Sequence, residues 1–164
     1  MRPYPEGDAG AEPVAGDAKP DYTAEEIRAA LRILEKGDRR SRGEFTAGEI
    51  KAAMREHIAR RTELGNPGVF EITDPQTSQT LELEFQKIHD PVRTLGNGFY
   101  FACTNFGTIG EPTKTYDLDF WLQVHNGELR VYQENVHKVP ERKDGKWVQK
   151  PHYNFQNDRI NLLR

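Results

Sequence analysis

One cysteine and five histidines are the residues of this chain whose side chains could serve as nucleophile, general base or ligand to a borderline metal. Cys103 lies in FYFACTNF, His89 closes the run LELEFQKIH, and His137 and His152 flank the segment KDGK. No CxxC, HExxH or His-x-His pair fixes two ligands locally, so a zinc or copper site depends on strands bringing distant residues together. Cys103 sits in a strand-like run away from any helix start, which favours a small buried thiol over a reactive thiolate. GxSxG, a phosphate-cradling loop and a GxGxxG after a strand are absent from the sequence. Acid–base chemistry leaves no such signature, and its first candidates are the His89-Asp90 pair and Asp119. His57, between Glu56 and Ile58 on a helix, reads as a surface or boundary residue with no assigned role.

Those residues need elements to position them. Residues 1–21 are rich in Pro, Gly, Ala and acids and too poor in apolar surface to offset the entropy of ordering, so they read as a disordered arm before a single α+β domain over 22–164. The tetrads TAEE from Thr23 and TAGE from Thr46 are capping boxes. The first predicts a helix with Ile27, Ala30, Leu31 and Leu34 on one face and Gly37 as its stop. The second predicts a helix to Leu64 with Ile50, Met54 and Ile58 on one face, joined by Ala53 and Arg61, and ended by Gly65, Asn66 and Pro67. From Val69 the period changes to 2, predicting strands over 69–73, 80–89, 99–106, 114–125, 128–139 and 146–153. Turn signals such as DPQTS, GNG, GEP, NG and DG separate them. Helices followed by short-linked strands imply an α+β fold with N-terminal helices packed on one face of a curled antiparallel meander.

Asn126-Gly127 supplies the positive φ angles of a two-residue hairpin turn and sets a register. Counting back pairs Val124 with Leu129, Leu122 with Val131, Phe120 with Gln133, Leu118 with Asn135 and Tyr116 with His137 on what should be the core face. That face grows polar at its far end, where an ordinary core would stay apolar. Alternation adds His89, through Leu81, Leu83 and Phe85, and brings in Cys103 and Asn105 with Phe99 and Phe101. A sheet curving over that end would form a polar pocket from His89, Cys103, Tyr116, Asn135 and His137. Counting from Asp144-Gly145 places His152 opposite His137. On the other face Asp119 opposes Glu134 with Asp117 two residues along, which reads as a solvated charge ladder neutralised by Lys138 and Arg130, or as carboxylates for a hard cation. Trp121 faces Tyr132 there with Tyr100 nearby, an aromatic stripe suited to a subunit interface.

In architecture this order resembles the cystatin-like and nuclear-transport-factor-2-like folds, the second of which implies a cone-like pocket. The segment QVHNG is similar to the QxVxG hairpin of cystatin protease inhibitors. Val124 is out of step with that motif and the upstream helix is too distant, so the segment is read as a hairpin turn. Composition narrows the remaining options. Over 164 residues, 23 Lys+Arg against 26 Asp+Glu give a net charge of −3 and a pI near 6.0, which argues against nucleic acid as a partner. No apolar run is long enough for a membrane helix. One cysteine fits a reducing cytoplasm, with an exported mature form as the alternative. The leading expectation is a homodimeric binding module for a small polar ligand or metal. An enzyme using a His/Asp pair, and an interaction domain acting through Trp121, Tyr132 and Tyr100, are the alternatives. The sequence names neither the ligand nor any cofactor.

Overall fold

A computed structural model describes residues 22–157 and 159–163; the expected arm over 1–21 lies outside them. The chain divides into two compact units between Glu35 and Lys36, inside the first helix, α1 (Ala24–Ser41). In the first unit the capping box forms as its residues dictate. The Thr23 hydroxyl accepts from the Glu26 amide at 3.2 Å, and the Thr23 amide donates to the Glu26 carboxylate at 2.8 Å. Ile27, Leu31 and Leu34 are exposed. Gly37 does not stop the helix, which runs on to Ser41. Its end is at Gly43, whose φ of +73° only glycine adopts freely. There the amides of Gly43 and Glu44 donate to the carbonyls of Arg40 and Arg39, closing a Schellman motif.

In the second unit, α2 (Ala47–Glu63) opens with Thr46 and Glu49 in a complete capping box and buries Ile50, Met54 and Ile58, one face at three-to-four spacing. The strands are β1 (Phe70–Asp74), β2 (Gln79–Ile88), β3 (Arg93–Gly96), β4 (Phe99–Thr108), β5 (Glu111–His125), β6 (Glu128–Lys143) and β7 (Lys146–Pro151). They form a seven-stranded antiparallel sheet in the order β1-β2-β4-β5-β6-β7, with β3 paired to β4. A separate hairpin joins β8 (Tyr153–Gln156) to β9 (Arg159–Leu162). The sequence pattern had not separated β3, β8 or β9 as strands. The fold is α+β, with α2 against one face of a meander.

The α2 face of the sheet carries the main core, including Phe70, Leu83, Phe106, Leu118, Phe120, Leu122 and Val136. Tyr100 is part of this core and not of an exposed aromatic stripe. Its hydroxyl donates to the Gly43 carbonyl at 2.6 Å and accepts from the Phe45 amide at 3.0 Å. The opposite face carries a smaller cluster of Phe101, Trp121 and Tyr153, with Cys103 and Phe155 packed on it.

The Asn126-Gly127 register holds from His125–Glu128 to Leu122–Val131 and then slips twice. Trp121 pairs with Gln133, so Tyr132 is an extra residue in β6, and Asp117 pairs with Lys138, so His137 is another. Each bulge places two residues opposite one and resets which side chains face the core. A third slip, between Phe85 and Lys87, inserts Gln86 into β2. These three residues relocate most of the expected pocket.

Candidate functional site

The polar residues expected at the end of the core face lie instead on the outward face of the sheet. After the Tyr132 bulge, Asn135 pairs with Asp119 rather than Leu118, while Val136 takes the core position beside Leu118. At the second bulge His137 stays on the outward side, its Nδ1 3.2 Å from Asp119 Oδ2. Cys103 is the strand partner of Asp119 across β4 and β5. The Gln86 bulge buries Ile88 in the main core, and His89 Nε2 donates to Asn105 Oδ1 at 2.7 Å, not into the centre at Cys103. Tyr116 is the exception to the shift. It packs on the main core, and burial, with the charge of Asp74, raises its pKa.

The centre is therefore Cys103, Asp119 and His137, whose ligand-type atoms all lie within 4.8 Å of one another. Asp119 is fully buried and His137 is 9% exposed. One residue of the second hairpin holds both. Tyr153 donates its hydroxyl to Asp119 Oδ2 at 2.6 Å, and its carbonyl accepts from His137 Nε2 at 3.0 Å. The Tyr153 ring also stacks on the imidazole, centroids 4.5 Å apart and planes 12° off parallel. Asn135 neighbours the same hydroxyl.

A carbonyl can only accept, so His137 Nε2 carries a proton, and in the neutral imidazole Nδ1 is left as a lone pair. That lone pair lies beside a carboxylate, which is also an acceptor. Among the described residues neither His137 Nδ1 nor Asp119 Oδ1 has a hydrogen-bond partner. With the imidazole neutral, two buried acceptors lie side by side, which is unfavourable unless a proton or a bound cation is shared between them. Burial pushes the Cys103 thiol well above its ordinary range, and the adjacent Asp119 adds to the push. The same two causes raise the Tyr153 hydroxyl.

The other outward-face expectations are corrected too, Glu134 by the Tyr132 bulge and Trp121 by the packing of Phe101 and Phe155 over it. Glu134 does not oppose Asp119. It turns to the α2 side, where its carboxylate lies 3.0 Å from His57 Nε2 and 2.7 Å from the Arg61 guanidinium. The carboxylate pair imagined for a hard cation is thereby split, and His57 has a structural partner. Asp117 pairs with Lys138 at 3.0 Å and accepts from Gln149 at 3.0 Å. Trp121 is not presented to solvent, being 8% exposed against Phe101 and Phe155. Tyr132 alone of the expected interface residues is exposed, its ring edge-on to Phe99.

His152 is opposite His137, its amide donating to the His137 carbonyl at 2.7 Å, but the two side chains part. His152 Nε2 lies 3.0 Å from buried Asp74 Oδ2, whose other oxygen accepts the Gln76 amide in the turn after β1. Asp90, the partner proposed for His89, pairs with Lys51. An open groove of about 870 Å³ between α2 and the start of β6, lined by Phe45, Ala53, His57, Leu129 and Val131 among others, contains none of the residues expected to bind ligand.

Sequence reasoning missed Tyr153 as a site residue and took Asp119 as a ladder charge or lone acid. The signal for Tyr153 was present in YNFQNDRINL, which alternates on both sides of Asn157, a residue with φ of +50°. Comparison with protein-family models, with curated proteins and with solved structures found no match.

Proposed function

We propose that this chain is a binding module whose ligand is held at the outward-face centre of Cys103, Asp119 and His137, under Tyr153. The observation that carries this reading is a buried carboxylate and a buried imidazole 3.2 Å apart beside a thiol, with Asp119 Oδ1 and His137 Nδ1 both lacking a hydrogen-bond partner. A bound positively charged or donor group would satisfy both atoms. Phe101, Trp121 and Phe155 supply apolar packing around it.

A second reading, an enzyme using His137 and Asp119 as an acid–base pair, is favoured by their 3.2 Å approach. Against it, the nitrogen remote from Asp119 is bonded to the Tyr153 carbonyl and so is not free to exchange a proton with a substrate.

The test is a thermal-shift screen of metal-stripped protein against divalent metals and a panel of polar metabolites comprising amino acids, carboxylic acids, nucleosides and sugar phosphates. A ligand present at 100 times its Kd stabilises the folded state by about 2.7 kcal/mol. The expected result is a rise in midpoint for one ligand class that His137→Ala removes. A rise that survives His137→Ala, or none across the panel, overturns the reading.

A further inference from the structure

We infer that the centre is a site for one zinc ion, held by Cys103 Sγ, the Asp119 carboxylate and His137 Nδ1. The inference rests on the binding reading above and specifies its ligand. The donor set is the first argument. Thiolate, imidazole and carboxylate together suit a borderline metal, whereas calcium and magnesium take six or more oxygens and this centre offers one carboxylate.

Geometry is the second. Zinc binds nitrogen and oxygen at about 2.0–2.1 Å and prefers a tetrahedron, which puts neighbouring N and O donors about 3.3 Å apart. His137 Nδ1 lies 3.2 Å from the Asp119 carboxylate at Oδ2, and Cys103, Asp119 and His137 each offer one ligand atom within 4.8 Å of the other two. Metal-binding imidazoles donate their other N–H to a carbonyl or carboxylate, which fixes the tautomer and points the free lone pair at the ion. His137 does this through the Tyr153 carbonyl, and the Asp119 carboxylate is likewise held by the Tyr153 hydroxyl, which donates to Oδ2. Tyr153 is thus a positioning residue for two of the three ligands.

Charge is the third. A thiolate and a carboxylate carry two negative charges, which the ion cancels within an aromatic surround. On binding, the Cys103 S–H bond breaks, its proton leaves to solvent, and the sulfur electron pair forms the bond to zinc. Three protein ligands leave the fourth position for water or an outside donor.

The experiment uses the full, metal-stripped chain. Zinc affinity is measured by competition with a chromophoric chelator, and cobalt(II) serves as the spectroscopic probe. The expected result is one ion per chain, with a near-ultraviolet thiolate-to-cobalt charge-transfer band and the intense visible bands of four-coordinate cobalt. Cys103→Ser should abolish the charge-transfer band and weaken zinc binding by at least ~100-fold. Tyr153→Phe, which leaves every ligand in place, should keep the band and lower affinity by about 10–100-fold. His57→Ala, whose imidazole lies on the α2 side against Glu134, should change neither. Absence of a thiolate band in wild-type protein at saturating cobalt overturns the inference without recourse to any variant. So does zinc binding unchanged by Asp119→Asn and His137→Ala. If polar metabolites shift the midpoint in a His137-dependent manner while neither metal binds, the zinc assignment fails and the binding reading stands; if nothing binds, both fail.

Discussion

Replacing Tyr153 by Phe deletes one oxygen and isolates the hydroxyl that holds Asp119. The donor and acceptor are 2.6 Å apart, and the two residues are 3% and 0% exposed, so water cannot substitute for the lost bond. The ring remains to stack on His137, and the backbone carbonyl still accepts from His137 Nε2, because neither depends on the hydroxyl. A hydrogen bond to a charged group contributes about 1.5–3 kcal/mol, so metal-free Tyr153→Phe should lose on the order of 2 kcal/mol. For a chain of this size that corresponds to a fall in Tm of roughly 4–8 °C. In an Asp119→Asn background the same change removes a bond to a neutral amide and should cost about 1 kcal/mol. The double-mutant cycle should therefore return a coupling of about 1 kcal/mol, measured by urea unfolding at pH 7 with a chelator present and constant m-values. A cost below about 0.5 kcal/mol, or an equal cost in both backgrounds, would refute the claim that the hydroxyl serves a buried carboxylate.

Trp121→Ala should destabilise the protein by about 3–5 kcal/mol, because the indole is packed against Phe101 and Phe155, whereas Tyr132→Ser at the exposed bulge should stay within about 0.5 kcal/mol; chemical denaturation of both variants checks the contrast. A Cβ at Gly107 would lie 2.4 Å from Gln86 Nε2 and 3.1 Å from the Pro112 backbone, so Gly107→Ala should break the bond from Gln86 to the Pro112 carbonyl and cost about 1–2 kcal/mol in thermal unfolding. Burial raises the folded-state pKa of Cys103, so between about pH 8.5 and pH 10 the folded chain retains a proton that the unfolded chain releases. Stability is then full below about pH 8.5 and falls as pH rises, and in metal-free Cys103→Ser the fall across that window should be shallower; an identical slope in both proteins would contradict the assignment.

Much of this arrangement was readable from residue types. The two Thr-x-x-Glu tetrads marked both helix starts, the spacing of Ile50, Met54 and Ile58 marked the buried face of α2, and Asn126-Gly127 fixed the register as far as Val131. Cys103, Asn135 and His137 were grouped together, and the fold places them together, though on the other face. What alternation cannot show is an inserted residue. Gln86, Tyr132 and His137 each look like ordinary strand residues, and a bulge depends on pairing across strands, which leaves no mark in the strand's own sequence. Gly37 misled for a simpler reason. Glycine inside a helix costs only about 1 kcal/mol, and the polar turn that follows is stabilised by the end motif at Gly43.

The two bulges in β6 act as a compensated frameshift. Val131 and Val139 face the core at odd positions, whereas Glu134 and Val136 do so at even ones, so the stretch over 133–136 is out of phase with the strand on either side. Tolerance to polar substitution along β6 should therefore change parity after Tyr132 and revert after His137. Deleting Tyr132 alone should join Val131 directly to Gln133 and keep every other pair between β5 and β6, whereas deleting His137 keeps the pairs on either side of it but removes the imidazole from the centre.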